Sequence, residues 1–382
     1  MKTTFLIFFS VFFTVYASLN YYVIRRSFQL LPSASHLKIP LLLLMIFLAL
    51  AFILGHVFSR SNLLTIAEPL EFAGSFWIGA AFYLFLTFLA IDFTKLVIKI
   101  VADDPIKTTE SVRAISQIAV PVFIAAILIY GFINSRTIRT TKVKIDINKT
   151  VQQNKKSLKI VMLSDIHLGV MMDKCRFTKI VNKVNAISPD IILLAGDMLD
   201  QDVSQVIRKD LGASLLELKA PFGVYACTGN HEYIGGIEKA VEYLNSHNIK
   251  LLQDTLVNIG GILQVAGRKD RSGDRFGGDK RKELSEILME RDPSLPLILL
   301  DHQPTNLKEA EINSVDLQLS GHTHHGQMWP VNFITGRIFE NDYGYSKKGN
   351  THYYVSSGAG TWGPPIRVGS ICEIVEIDLN LK

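Results

Sequence analysis

Four long stretches near the start of the chain carry no Asp, Glu, Lys or Arg, and they constrain the fold more than any other feature. They run between the charged residues at 2 and 25, 38 and 60, 71 and 92, and 113 and 136. Each is close to the ~20 residues that an α-helix needs to cross ~30 Å of hydrocarbon. Because an unpaired backbone group is costly in lipid, each stretch should be helical. The sequence therefore predicts an N-terminal region of four transmembrane helices, residues 1–138.

Other interpretations of these stretches are weaker. A soluble bundle of four buried helices would not require four charge-free stretches within 136 residues. The first stretch could be a signal peptide, but it lacks a small-x-small cleavage pattern before Arg25, which favours an uncleaved helix. The loops at 25–38 and 95–113 are basic, which predicts that they are cytoplasmic. Since four spans return the chain to the side where it began, we expect an integral multi-pass protein with an extracytoplasmic C-terminal domain.

From residue 139 onward the pattern changes, and short apolar runs alternate with helical stretches. The runs predict strands at Thr141–Ile147, Leu158–Leu163, Ile191–Ala195, Val224–Cys227, Ile262–Ala266, Leu297–Leu300, Leu317–Leu319, His352–Ser356 and Cys372–Leu379. Helices are predicted at Arg176–Ile187, Val203–Leu218, Ile237–Asn245 and Arg281–Glu290. This alternation is typical of an α/β fold with largely parallel central strands, and the late β-rich stretches indicate a second sheet. Residues 139–382 should form this domain.

Polar residues directly follow five of the predicted strands. They are Asp165, His167, Asp197, Asn230, His231, Glu232, His302, His322 and His324. Loops beyond the carboxyl ends of strands line the ligand crevice of an α/β sheet, so these side chains should meet at one edge. Imidazole and carboxylate suit Zn, Fe and Mn ions. The three cysteines lie far apart, which argues against a cysteine-type zinc site.

Seven of these residues offer a metal-binding atom, which is too many for one tetrahedral ion but suits two ions that share a carboxylate. They are Asp165, His167, Asp197, Asn230, His302, His322 and His324. A pair of ions ~3.5–4 Å apart binds both ends of a displacement at phosphorus and lowers the pKa of a bound water toward ~7. A single histidine is more often structural, but five of the ten histidines fall at the ends of predicted strands. The pattern therefore predicts phosphoester hydrolysis.

In this order, the motifs Asp165-x-His167, Gly196-Asp197, Gly229-Asn230-His231-Glu232, His302 and Gly321-His322-x-His324 resemble those of the calcineurin-like metallophosphoesterases, over about residues 140–382. The resemblance implies a two-sheet αββα sandwich with a dinuclear metal site at the strand ends. It implies one ion bound by Asp165, His167, Asp197 and His324, and a second bound by Asp197, Asn230, His302 and His322. Asp197 would bridge the ions, and His231 would be the catalytic residue that contacts the phosphate or protonates the leaving oxygen.

Further stretches are similar to the membrane-associated branch that includes the YkuE and YaeI phosphodiesterases. They are Asp270-Arg271-Ser272, Arg275-Phe276-Gly277-Gly278, Leu300-Asp301-His302-Gln303-Pro304 and Gly360-Thr361-Trp362-Gly363-Pro364-Pro365. A relative in that branch acts on UDP-diacylglucosamine, so the resemblance implies a lipid-linked substrate by analogy. His325 departs from the glycine that is usual after the Gly-His-Thr-His motif, and it adds bulk beside the expected site.

Four arginines are candidate substrate contacts: Arg268, Arg271, Arg275 and Arg367. The first three belong to the segment Arg268–Lys282, which has seven positive and three negative residues. Such a segment is either a basic loop that meets an anionic substrate or an ordinary solvated loop. Asp301 and Glu232 are candidates for orienting an imidazole through a hydrogen bond.

We therefore expect a membrane-anchored phosphodiesterase or phosphomonoesterase with two divalent ions, of Mn, Fe or Zn. Its expected partners are the lipid bilayer and a phosphoester substrate. By analogy with the membrane-associated branch, that substrate is lipid-linked. The net charge of +5 without a long basic run predicts no stable nucleic-acid partner, and no feature predicts a protein partner. A catalytically silent, membrane-tethered metal-binding sensor module is the alternative, although the complete ligand set argues against it. His56 is the only titratable residue in the four stretches besides tyrosines, which argues against a transporter.

Overall fold

The computed structural model describes residues 2–32, 35–59, 64–102, 110–149, 156–200, 203–276 and 280–381. The chain divides into two compact units. One comprises Met1–Gly131 with Gly363–Pro365, and the other comprises Phe132–Trp362 with Ile366–Lys382. Gly277 and Gly278, which belong to the basic segment of the sequence analysis, lie outside the described residues.

The first unit is helical, as the charge-free stretches predict. Its helices, the last of which continues into the second unit, are α1 (Lys2–Leu30), α2 (Lys38–Ser59), α3 (Leu64–Ala102) and α4 (Glu110–Arg136). Among the described residues, α2 and α4 are long and apolar enough to cross a membrane. The expectation of four spans is therefore corrected to four helices, two of which qualify as candidate spans.

The second unit contains twelve strands among its described residues, and they form two six-stranded sheets. The strands are β1 (Ile138–Ile147), β2 (Ser157–Leu163), β3 (Ile191–Ala195), β4 (Val224–Cys227), β5 (Lys250–Leu251), β6 (Thr255–Ile259), β7 (Leu263–Gly267), β8 (Leu297–Leu300), β9 (Leu317–Ser320), β10 (Gly344–Lys348), β11 (Thr351–Val355) and β12 (Cys372–Leu381). The helices are α5 (Lys174–Ile187), α6 (Val203–Lys209), α7 (Asn230–Gly235), α8 (Ile237–Ser246), α9 (Gly273–Phe276), α10 (Leu284–Ile287), α11 (Lys308–Ile312) and α12 (Asn332–Ile338). Short 3₁₀ helices lie at Ala213–Glu217 and His324–Gly326.

Both sheets are mixed, with parallel strands at their centres. The first has the order β1-β12-β2-β3-β4-β5, and β2 to β5 run parallel to one another. The second has the order β10-β11-β9-β8-β7-β6, and β7, β8, β9 and β11 run parallel. The carboxyl ends of neighbouring parallel strands meet at the same edge of each sheet, which is where the site residues follow.

Hydrophobic clusters on both faces of each sheet hold the layers together. Ile160 of β2 and Val265 of β7 belong to one buried cluster, which fills the space between the two sheets. The next residue of β2, Val161, points to the opposite face and packs with Ile180 of α5. On the outer face of the second sheet, Leu299 of β8 joins the cluster that includes α10 and α11. Because both faces are covered, the strands are continuous apolar runs, and the layers follow the expected αββα order.

Two predicted helices are shorter than expected. The helix predicted at Val203–Leu218 ends at Lys209, because the next residue, Asp210, has a left-handed backbone with φ of 46°. The predicted helix Arg281–Glu290 is reduced to α10, and the backbone N–H of Lys282 instead donates to Asp254 at 3.0 Å. Each interruption comes from a polar residue that the apolar pattern alone does not reveal.

Candidate metal centre

Five loops at the carboxyl ends of strands place polar side chains in one region of the second unit. Asp165 and His167 follow β2, Asp197 follows β3, and Asn230 and His231 open α7 directly after β4. From the second sheet, His302 follows β8, and His322 and His324 follow β9. The ligand-bearing edges of the two sheets therefore lie side by side, and the seven candidate ligands converge there.

Asp165, His167 and His324 form the first cluster of candidate ligand atoms, all within 4.8 Å of one another. The Nε2 atoms of His167 and His324 lie 3.1 Å apart, and His324 Nε2 lies 3.4 Å from Asp165 Oδ1. The Asp165 carboxylate also accepts a hydrogen bond from the backbone N–H of His322 at 3.0 Å. This cluster contains three of the four ligands expected for one ion.

Asp197, His302 and His322 form the second cluster, whose candidate ligand atoms also lie within 4.8 Å of one another. His302 Nε2 lies 3.1 Å from Asp197 Oδ2, and His322 Nδ1 lies 2.9 Å from Asn230 Oδ1. His167 Nε2 of the first cluster is 3.9 Å from the same Asp197 oxygen. Asp197 therefore lies between the two clusters, where a bridging carboxylate would have to be.

The donor set fits a pair of divalent cations. His302 Nδ1 donates to the carbonyl of Ala195 at 2.8 Å, which leaves Nε2 to face the site. That Nε2 is buried without a hydrogen-bond partner, although it faces an Asp197 oxygen. Burial opposes a charge on His302, but the Asp197 carboxylate outweighs it and raises the pKa of His302 well above its usual value, so this pair of atoms favours a cation between them, either a proton or a metal ion. The mix of imidazole, carboxylate and amide oxygen suits Mn, Fe or Zn.

The electrostatics of the site favour uncharged imidazole at three of the candidate ligands, and at one of them, His324, burial followed by the neighbouring His167 lowers the pKa well below its usual value. Burial, followed by the neighbouring His231, lowers the pKa of His167 to about 4. Burial, followed by the neighbouring His302, lowers the pKa of His322 to about 4. Neutral imidazole is the form that binds a metal ion, so these residues need not lose a proton at neutral pH.

His231 is held beside the first cluster by Asp200, a residue that the sequence analysis does not single out. His231 Nδ1 lies 3.2 Å from Asp200 Oδ1, and its ring contacts that of His167 with centroids 4.5 Å apart. Burial opposes a charge on His231, but the carboxylates of Asp197 and Asp200 outweigh it and raise the pKa of His231 to about 9. The only sequence signal for Asp200 is its position three residues after Asp197, in the same loop.

The two residues expected to orient an imidazole have other partners. Glu232 is fully buried, and its carboxylate accepts from the backbone N–H groups of Gly229, Met198 and Leu199 at 2.7, 2.8 and 3.0 Å. Asp301 binds the guanidinium of Arg281. Glu232 therefore joins the loop after β3 to the loop after β4.

The four arginines expected to contact substrate are in different environments. Arg271 and Arg275 are exposed, whereas Arg268 is buried and pairs with Glu309 at 2.9 Å. Arg268 and Arg271 line a cavity of about 520 Å³ that shares no lining residue with the two ligand clusters. Arg367 is fully buried, and its guanidinium donates to the carbonyls of Ser357 and Gly360 at 2.6 and 2.7 Å. The placement of Arg268 and Arg367 favours a structural role over substrate contact.

Several large apolar side chains near the site are exposed, and we refer to them as the apolar rim. They are Trp329, Phe333, Ile334, Ile338 and Trp362, each more than half exposed. The ring of Trp362 lies 6.2 Å from that of His231, and Phe339, next to the rim, lies 5.9 Å from His322. Exposed apolar groups that cluster beside a reaction centre indicate an interaction surface.

The fold and the site together define a class of protein: two-sheet αββα domains that carry candidate carboxylate and histidine metal ligands at the carboxyl ends of their strands. A family model described as calcineurin-like phosphoesterase matches residues 158–326. An uncharacterized metallophosphoesterase of Campylobacter jejuni is 32% identical over 99% of this chain and 99% of its own length. The chain belongs to the calcineurin-like metallophosphoesterase family and is a metal-dependent phosphoester hydrolase.

Two further relatives differ in coverage. A zebrafish (Danio rerio) transmembrane protein with metallophosphoesterase domain is 32% identical over 69% of this chain and 63% of its own length. The UDP-2,3-diacylglucosamine pyrophosphatase LpxG of Chlamydia muridarum is 25% identical over 47% of this chain and 69% of its own length. Similarity to a protein named for its transmembrane character agrees with the two candidate spans in α2 and α4.

Proposed function

We propose that the protein is a membrane-anchored phosphoesterase that uses two divalent ions to hydrolyse lipid-linked phosphoesters. The observation that carries the proposal is the convergence of seven nitrogen and oxygen donors from five loops, with Asp197 between the two clusters. In this proposal Asp165, His167, Asp197 and His324 hold one ion, and Asp197, Asn230, His302 and His322 hold the other. Two such ions, when bound, would stabilise the charge on a phosphoryl group and lower the pKa of a water molecule.

The protein's own residues would position the substrate and supply a proton. In this proposal the Nδ1–H group of His231 donates a hydrogen bond to Asp200. The second proton of the imidazolium is then on Nε2. His231 Nε2 would donate that proton to the leaving oxygen, and Asp200 would stabilise the charged ring. Among the arginines, we retain the exposed Arg271 and Arg275 as contacts for an anionic substrate.

A lipid-linked substrate is supported by the apolar rim and by the membrane helices. A chain with candidate spans in α2 and α4 meets its substrate near a bilayer. The apolar rim, beside His231 and His322, is suited to contact acyl chains while the phosphate meets the ligand clusters. The name of the Chlamydia relative describes such a lipid-linked substrate. We further propose a domain boundary between residues 138 and 139 and an extracytoplasmic catalytic domain.

A matched pair of variants tests the proposal. Asp197→Asn keeps the size and the acceptor for the His231 backbone N–H, at 2.8 Å, but removes the bridging charge. We expect it to lose bound metal and to hydrolyse an aryl phosphodiester at background rate with added Mn²⁺. His231→Ala should keep its metal, because His231 is not a ligand, and lose about 10²–10⁴-fold in kcat, the usual contribution of a general acid.

Metal content and turnover, measured on the same purified samples, separate the roles. Full activity in Asp197→Asn would refute the bridging assignment, and metal loss in His231→Ala would make that residue a ligand. The alternative function, a silent metal-binding sensor module, predicts metal binding in the wild-type protein without hydrolysis of any phosphoester. Measurable turnover that depends on added metal would exclude it.

A further inference from the structure

Helix α12 presents its apolar side to solvent and its polar side to the protein, which reverses the usual arrangement of a surface helix. Phe333, Ile334 and Ile338 lie on one side of the helix, and each is more than half exposed. The opposite side carries Thr335, whose hydroxyl donates to Asp342 Oδ2 at 2.7 Å. No residue of α12, all of which the structure describes, is buried. A surface helix normally turns its apolar stripe toward the core, so we expect another apolar phase to cover this side of α12.

Two tryptophans extend this surface beyond the helix. Trp329 and Trp362 are each more than half exposed, and the ring of Trp329 lies 6.5 Å from that of Phe333. The side-chain amide of Gln327 joins the two tryptophan segments, because it donates to the carbonyl of Trp362 and accepts from the backbone N–H of Trp362, both at 2.9 Å. Tryptophan is enriched where proteins meet the membrane–water interface. The apolar rim therefore has the composition of an interfacial surface.

The rim lies beside the end of α4. Asn134, which is in the last turn of α4 and belongs to the second unit, donates to the carbonyls of Arg367 and Ser370 at 3.0 and 2.8 Å. Between these two residues, the carbonyl of Val368 accepts from the backbone N–H of Trp329 at 2.7 Å. This short segment therefore contacts both the end of α4 and the first tryptophan of the rim.

The chain passes from α4 into the second unit almost without a linker. Helix α4 ends at Arg136, and β1 begins at Ile138. The charge-free stretch of α4, between Arg113 and Arg136, is ~33 Å of helix, close to the ~30 Å of hydrocarbon in a bilayer. When α4 spans the bilayer, as the proposed membrane anchor requires, Arg136 lies at the membrane surface. The rim, which is beside this end of α4, then lies at the same level.

We propose that the apolar rim inserts into the bilayer surface at which α4 ends, so that lipid is the phase that covers it. Phe333, Ile334 and Ile338 enter the boundary between headgroups and acyl chains, and the two tryptophans lie at the level of the headgroups. A helix that lies in this interface buries its apolar side ~5–10 Å into the boundary. The exposed Arg337, on the same side of α12, extends its guanidinium to the lipid phosphates.

This contact places the metal centre at the depth of the lipid headgroups. The ring of Trp362 lies 6.2 Å from that of His231, and the ring of Phe339, which follows α12, lies 5.9 Å from that of His322. A phosphoester in a lipid headgroup then reaches the site while its acyl chains stay in the bilayer. The inference rests on the membrane anchor of the proposed function, but it concerns the bilayer itself and not the substrate.

Spin labels on the full-length protein, reconstituted in phosphatidylcholine vesicles, test the contact. Cys175 is exposed, whereas Cys227 and Cys372 are buried, so Cys175→Ser removes the competing site of labelling. In this background, Ile338→Cys carries a nitroxide on the rim. Met289→Cys is the matched control, because Met289 is also exposed but lies in the connection that leads to the amino end of β8, outside the rim.

The measurement compares two collision rates of the nitroxide, one with oxygen, which concentrates in lipid, and one with an exchange-inert chromium complex, which stays in water. For a label ~5–10 Å below the headgroups, we expect the ratio of oxygen to chromium collisions to be at least about fivefold higher at Ile338 than at Met289. Phe333→Cys should give the same high ratio and replaces Ile338→Cys if that variant does not fold. Ile334→Ser should lower the ratio at Ile338 toward the control value, because it removes apolar area from the same side of α12.

Extraction of the vesicles with alkaline carbonate separates this inference from the proposed anchor. A protein that stays in the membrane but gives equal ratios at Ile338 and Met289 keeps its anchor and refutes insertion of the rim. Release of the protein by carbonate would refute both. Dipolar broadening between labels at Ile338, together with low collision rates for both probes, would show that a second copy of the chain covers the rim, and it would also contradict the proposal.

Discussion

Five of the seven candidate ligands adopt a left-handed backbone, which non-glycine residues rarely do. The φ angles are 49° for Asp165, 51° for His167, 52° for Asp197, 74° for His322 and 50° for His324. Such conformations carry strain and persist only where the surrounding structure determines them. Each of these residues follows a buried strand, so the sheets hold the loops in place. The backbone conformation of these residues therefore helps to aim their side chains at the site.

Gly229 shows how closely the loops approach one another at the site. A Cβ at this position would lie 2.2 Å from Asp197 Oδ1 and 2.5 Å from the Asp197 backbone nitrogen. The backbone nitrogen cannot move away without moving the strand end, so Gly229→Ala should displace the Asp197 carboxylate. We expect a loss of about 10–100-fold in metal affinity, comparable to the loss of an outer contact to a ligand. Titration with Mn²⁺, followed by activity and by elemental analysis, measures this change.

Gly336→Ala provides the control for this substitution. A Cβ at Gly336, in α12, would have no neighbour closer than 3.8 Å, and alanine suits a helix. Metal affinity should therefore stay at the wild-type level in Gly336→Ala. A Gly229→Ala protein that binds Mn²⁺ as tightly as Gly336→Ala would show that the loops adjust without cost.

At the level of elements, apolar runs predict the central strands well and the edges poorly. The bounds of β3, β4 and β8 agree with the prediction to the residue, because strands buried on both faces leave an uninterrupted apolar signal. The edge strand β10 alternates partly buried and exposed residues, and its sequence, GYSKK, lacks that signal. The sequence brings the site loops to strand ends, but the contacts of Asp200 and Glu232 depend on how two loops meet in space. Neither spacing nor periodicity reports such contacts.

Glu232 joins the loops that follow β3 and β4, and the contribution of this contact to stability can be measured. Its two carboxylate oxygens accept from four backbone N–H groups, those of Asp197, Met198, Leu199 and Gly229. Glu232→Gln replaces one oxygen with an NH₂ group, which cannot accept and leaves buried donors without partners. Each oxygen accepts from two of these donors, and each donor without a partner costs about 1–3 kcal/mol, so we expect the free energy of unfolding to fall by about 2–6 kcal/mol. Urea denaturation of the full chain in mild detergent, monitored by fluorescence, measures the loss.

The same change at an exposed glutamate separates this effect from loss of charge. Glu217, at the end of a 3₁₀ helix, is exposed, and Glu217→Gln should change the unfolding free energy by less than about 0.5 kcal/mol. If Glu232→Gln proves as stable as Glu217→Gln, the four hydrogen bonds do not hold the two loops together.

For the whole molecule, the chain combines a helical unit that has two candidate spans with a hydrolase domain that bears an exposed apolar rim. Exposed tryptophan and phenylalanine beside a reaction centre mark an interaction surface or a ligand-binding groove, since such surface otherwise favours aggregation. A hydrolase that works at a bilayer gains affinity for acyl chains from the same groups. In the proposed function, the rim would contact the acyl chains of a lipid-linked substrate that the candidate spans bring close to the protein.

Substitution of the rim should affect lipid-linked and soluble substrates differently. Phe333→Ser/Ile338→Ser removes two side chains that are 61% and 69% exposed, and Met289→Ser/Ile312→Ser removes two that are 79% and 70% exposed elsewhere in the domain. Contact of the rim with acyl chains contributes on the order of 1.5–3 kcal/mol per large side chain. We expect the rim variant to lose at least about tenfold in kcat/KM for UDP-diacylglucosamine presented in vesicles, since tenfold corresponds to 1.4 kcal/mol. Hydrolysis of an aryl phosphodiester in solution should be unchanged in both variants, because neither pair supplies a candidate ligand. Equal losses on the two substrates would show that the rim supports folding rather than substrate binding. No loss on either substrate would show that the rim does not bind the substrate.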